Sequence, residues 1–113
     1  MNTVHPSVTG TTAQRLRVLA ELYQQGKASQ LTERTLDKLL TYEIDLCQKQ
    51  LSQLQADLAQ FEQQYSLSSV DFYQRYQAGQ IDDQMDYVEW ASLVQMFHNL
   101  KNQLQLLTNE NNP

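Results

Sequence analysis

Asp82, Asp83 and Asp86 spell Asp-Asp-x-x-Asp, and Glu89 continues the acidic series one helical turn further on. On a helix this spacing gathers carboxylates on one side, an arrangement that can hold magnesium in all-helical diphosphate enzymes. Such a centre requires further oxygen ligands from a facing helix. The sequence offers no second acidic motif of comparable density, and 113 residues are too few for a prenyl-transferring fold. Acids at a helix start also cap free amides and complement the helix dipole, which is the leading reading of these four residues. A charged surface for a basic partner ranks second and metal catalysis last.

The remaining reactive side chains are scattered. His5, His98 and the single Cys47 have no zinc-ligand spacing. Cys47 cannot close an internal disulfide and falls on an apolar seam, where a small buried residue is required. Nothing adjacent would lower its thiol pKa, so a nucleophilic role is not expected. A symmetric contact between two copies of the chain at Cys47 is the lesser alternative. There is no glycine-rich phosphate loop, no Gly-x-Ser-x-Gly elbow and no spaced Ser, His and Asp set. The expectation is a protein without enzymatic activity and without a cofactor.

Charge is divided unevenly. Residues 51 to 113 carry Arg75 and Lys101 against eight acids, a net -6, while residues 1 to 50 carry six bases against five acids, a net +1. The acidic half repels nucleic acid and membrane phosphates and favours a basic protein partner. A merely solubilising charge explains it equally well. Arg15, Arg17, Lys27, Arg34 and Lys38 surround a start that resembles a helix-turn-helix, but the second helix is too long for a recognition helix. Nucleic acid is therefore not an expected partner.

Two apolar seams must position these groups. Leu40, Ile44, Cys47, Leu51, Leu54, Leu58, Phe61 and Tyr65 follow at alternating spacings of 4 and 3, and Trp90, Leu93, Phe97, Leu100, Leu104 and Leu107 at 3 and 4. That alternation marks helices packing along helices. The 41% apolar content, 19% charge and mean hydropathy of -0.58 fit long glutamine-rich helices with narrow seams. No stretch approaches the roughly 20 apolar residues of a membrane span, and Met1 to Gly10 lacks the regions of a signal peptide, so a cytoplasmic protein is expected.

Along the chain, residues 1 to 11 read as a flexible leader, 12 to 107 as one helical domain and 108 to 113 as a flexible tail. Thr12 is expected to cap a first helix bearing Leu16, Leu19, Ala20 and Tyr23 on one face, which Gly26 ends. Thr32 is expected to cap the second, with Leu31 and Leu36 as a hydrophobic staple, and this helix runs about 33 residues to Tyr65. Leu36, Leu39 and Leu46 widen its seam, and the first helix is the nearest element to cover them. Ser66 to Ile81 forms a corner with a short aromatic helix begun at Ser68 and Asp71 and ended at Gly79. Asp82 or Asp83 caps the last helix, which continues to Leu107.

A short corner favours an antiparallel hairpin, with Phe61 and Tyr65 meeting Tyr87 and Trp90, and Leu36 and Leu40 beside Leu104 and Leu107. A parallel homodimer through the second helix is disfavoured. Its flanking positions, among them Glu43, Gln48, Gln55, Asp57 and Glu62, offer no base to pair across the interface. Trp90 and the corner aromatics are foremost core residues and secondarily interface anchors. Tyr87, Val88, Ala91, Leu93, Val94, Met96 and Phe97 make the last helix apolar on more faces than one neighbour covers. The predicted fold is all-α, a long coiled-coil-like antiparallel hairpin with a short corner helix and an N-terminal helix, assembling into a dimeric bundle.

The run from Phe61 to Leu100, with Tyr65-Ser-Leu-Ser-Ser69, Phe72-Tyr73, Ala78-Gly79 and Asp86-Tyr87-Val88-Glu89-Trp90, resembles small, mostly uncharacterised helical proteins of prokaryotes. Some of those resemble antitoxin or partner-binding members of two-gene toxin modules. Ser66 stands where the pattern often has a turn glycine. The resemblance implies no catalytic residue. The functional expectation is a non-enzymatic, antitoxin-like interaction module that engages a basic protein through Asp82, Asp83, Asp86, Tyr87, Glu89, Trp90, Val94 and Phe97. The alternatives are a self-assembling scaffold and a magnesium-dependent phosphohydrolase formed across a dimer.

Overall fold

The computed structural model describes residues 9 to 108, which leaves most of the expected leader and all but Thr108 of the expected tail outside the described residues. Among the described residues four helices follow one another: α1 (Thr12–Gln24), α2 (Gln30–Tyr65), α3 (Ser69–Gln77) and α4 (Met85–Thr108). The chain divides into two compact units, one ending at Lys38 and one beginning at Leu39.

In the first unit the cap of α1 is Thr11 rather than Thr12. Its hydroxyl accepts from the Gln14 amide at 3.2 Å while the Gln14 side chain accepts from the Thr11 amide at 2.8 Å, a reciprocal capping box. Gly26 ends the helix as expected. Its φ of 69° is a conformation that costs a residue with a Cβ, and it lets the Lys27 amide reach the Leu22 carbonyl and its own amide reach Tyr23. Every residue of α1 is exposed. The cap of α2 is Ser29, whose hydroxyl accepts from the Thr32 amide at 3.2 Å, so Thr32 lies inside the helix. The expected staple does not form, because Leu31 is 73% exposed.

In the second unit α2 packs against α4 as an antiparallel hairpin. Phe61 stacks on Trp90 with ring centroids 5.5 Å apart, Tyr65 lies 5.1 Å from Tyr87, and the Cys47 thiol donates to the Leu100 carbonyl at 3.3 Å. Rising numbers on α2 thus meet falling numbers on α4. Cys47, Leu51, Leu54 and Leu58 are buried along the α2 seam. Leu40, expected beside Leu104 and Leu107, is 46% exposed, and Leu39 and Leu46 also stay on the surface.

The corner builds the densest packing. Leu58, Phe72, Trp90, Ala91 and Val94 form one buried cluster, with Phe61, Tyr65, Tyr76 and Tyr87 against it. Ser68 caps α3 by accepting from the Asp71 amide at 3.1 Å, and Glu62, on the last turns of α2, accepts from the Ser69 amide at 2.7 Å. A carboxylate at this end of α3 also meets the positive end of the helix dipole. Gly79, at φ 73°, closes α3 with bonds from its amide to Tyr76 and from the Gln80 amide to Arg75. Ser66 adopts φ 50° in the turn after α2, where the Leu67 amide reaches the Glu62 carbonyl. It takes the role usually given to glycine. The last helix starts at Met85, later than expected, because Asp82 turns to accept from the Gln84 amide at 3.2 Å instead of capping the helix.

Candidate partner-binding surface

The eight residues expected to meet a partner fall into three groups. Trp90 and Val94 are core: Trp90 is 0% exposed and presents no surface to a partner, while Val94, also buried, lines the floor of an apolar trough between the helices. The cause is α3, which packs over the apolar side of α4 that the hairpin alone would leave open. Asp86 and Tyr87 are half-buried and face the corner. Asp82, Asp83 and Glu89 are exposed, and Phe97 is half-buried with the Lys101 ammonium 5.5 Å from its ring centroid.

Asp86 is occupied by α2. The Tyr65 hydroxyl donates to Asp86 Oδ2 at 2.5 Å, and the Gln64 amide nitrogen lies 3.4 Å from the same oxygen. This bond to a carboxylate, helped by burial and by the nearby negative charge, pushes the Tyr65 phenol up to about 12. Asp82 and Asp86 thus serve different partners, one a backbone amide in its own turn and the other a phenol across the hairpin. Among the described residues no three His, Cys, Asp or Glu side chains converge on a point that could hold a metal ion.

A second buried bond fixes the indole. Trp90 Nε1 donates to Ser69 Oγ at 2.9 Å, and Ser69 is itself buried. Ser69 and Glu62 were not singled out by sequence reasoning. Their only signal was position: Ser69 directly follows a helix-capping serine, and Glu62 precedes the corner by one turn.

Two troughs flank the hairpin. One, of about 540 Å³, lies between all three helices of the unit and is walled by Leu58, Glu62, Val70, Tyr73, Phe97 and His98. The other, of about 470 Å³, involves α2 and α4 alone and includes Gln53, Leu54, Asp57, Leu93, Met96 and Leu100. Both are lined by a mixture of apolar and polar side chains. Apolar concavities with a few polar groups at their edges are candidate binding sites. No helix among the described residues is long and apolar enough to cross a membrane. Compared with family models, curated proteins and solved structures, the chain matches none of them.

Proposed function

We propose that the chain is a non-enzymatic helical interaction module, antitoxin-like in the sense suggested by its Phe61 to Leu100 pattern, that binds a basic protein partner in the cytoplasm. The observation that carries this reading is the apolar stripe left uncovered on the hairpin. Leu39, Tyr42, Leu46 and Met96 remain exposed although the seam beside them is filled. An apolar surface of this kind beside polar and acidic residues favours a macromolecular partner. Met96 belongs to residues 51 to 113, whose net -6 favours a basic partner.

Affinity capture from the native host at low and high salt, followed by mass spectrometry, tests the reading. The expected result is a specific basic protein, released as salt rises. Recovery of nothing above the bead control across growth conditions overturns it. The same open stripe supports a second reading, a self-assembling scaffold that forms a dimeric bundle. Sedimentation equilibrium separates the two, since a scaffold assembles alone and needs no partner.

A further inference from the structure

The trough between α2 and α4 that lacks α3 differs from its counterpart in charge. Its floor is Leu54, Leu93 and Leu100, and Met96 beside them is 51% exposed. A thioether on a flexible stem adapts to varied apolar side chains. Asp57 lines the α2 rim, where its carboxylate accepts only from Gln53 of its own helix at 3.1 Å. On α4, Glu89 precedes Leu93 by four residues and Met96 by seven, so all three share a helix face. Asp57 is thus the charged residue that lines the trough, Glu89 lies one turn beyond Leu93 past its α4 wall, and no lysine or arginine lines it. In the other trough Glu62 is committed to the Ser69 amide, and His98 and Lys101 bring positive or titratable groups beside Phe97.

We propose that the trough formed by Leu54, Asp57, Leu93, Met96 and Leu100, flanked by Glu89, docks a basic amphipathic helix of a partner protein. The proposal rests on the interaction-module reading and assigns its surface. Apolar side chains at i, i+3 or i+4 and i+7 of the incoming helix occupy the floor, and its lysines or arginines meet Asp57 and Glu89. A second copy of this chain is a poorer occupant, because symmetric contact of this face with itself brings like charges together.

The test uses the full chain and a labelled synthetic peptide about four turns long, with leucines on one face and lysines on the other. The controls are a scrambled peptide of the same composition and a peptide with glutamate in place of lysine. Fluorescence anisotropy at physiological salt is expected to show uptake of the leucine-lysine helix alone. Asp57→Lys with Glu89→Lys is expected to weaken that uptake about tenfold or more and to admit the glutamate peptide. Met96→Ser weakens it about fivefold, and Val70→Ser in the other trough leaves it unchanged. These positions are on the surface or rim, and far-UV circular dichroism checks that each variant folds.

Equal uptake of the scrambled peptide overturns the proposal, as does insensitivity to the charge-reversed pair. Self-association that Met96→Ser dissolves also overturns it. Uptake lost only on Val70→Ser moves the docking face and leaves the interaction-module reading intact. Absence of uptake overturns the assigned surface, whereas the capture experiment decides the module itself.

Discussion

Phe72 and Trp90 lie face to face, with ring centroids 3.8 Å apart and planes within 5° of parallel. Both are 0% exposed, so α3 and α4 share one continuous slab of aromatic surface. The only polar atom of the indole points out of that slab to Ser69. Packing and hydrogen bonding are consequently coupled at one residue. A change that moves α3 breaks both.

Ser69→Ala removes the acceptor and leaves a buried N–H without a partner. The expected cost is about 1–3 kcal/mol, measured by urea unfolding. Phe72→Ala, which removes the stacked ring itself, is expected to cost about 3–5 kcal/mol. If Ser69→Ala is neutral, the indole bond does not contribute to stability.

The Tyr65 phenol shifts from 10 to about 12 on folding, mainly because it donates to Asp86. A folded-state value above the unfolded one favours the protonated form in the native state. The resulting stabilisation is complete below about pH 10 and is lost as pH rises towards 12. The stability difference between the parent chain and Tyr65→Phe should therefore be constant from neutral pH to about 10 and shrink above it. Denaturant titrations across that range measure the difference, and a gap unchanged at pH 12 contradicts the assignment.

Ser66 sits at φ 50°, where its Cβ is crowded against the backbone. Ser66→Gly relieves this at the expense of a more flexible unfolded chain, for a net gain of about 0.5–1 kcal/mol. Ser66→Val should destabilise the corner, since a β-branched residue fits this region worst. Thermal unfolding of the two variants gives opposite shifts from the parent.

Cys47 is 1% exposed, and its thiol donates to the Leu100 carbonyl. Iodoacetamide should leave it unmodified in the native protein and alkylate it fully in denaturant. Rapid native labelling would place the thiol at the surface and remove it from the seam. Burial of this group also excludes contact between two copies at Cys47 while the hairpin is closed.

The hairpin was legible in the alternation of 4 and 3, because every buried residue of α2 lies on the seam that spacing defines. The meeting of Phe61 with Trp90 and of Tyr65 with Tyr87 followed from the shortness of the corner. The helix starts were less legible. Thr11 and Ser29 compete with neighbouring Thr12 and Thr32 for capping, and neither Asp82 nor Asp83 caps the last helix, because backbone geometry chooses among side chains of similar chemistry. Trp90 and Val94 illustrate the limit at the candidate site. A helical period assigns them a face, but whether that face meets solvent depends on where α3 folds back, and the period contains no information on that.

Glu62 and Ser69 are seven residues apart, whereas Ser69 and Trp90 are 21 apart. The bond that seats α3 on the end of α2 closes a short loop, and the bond that brings in the indole closes a longer one. Loop-closure entropy favours the first. The end of α2 together with α3 is therefore expected to form before α4 docks, with Trp90 emission reporting the later event. In stopped-flow refolding, Glu62→Gln should slow the appearance of that signal, while truncations towards the end of α4, such as Leu107→Ala, should act mainly on unfolding.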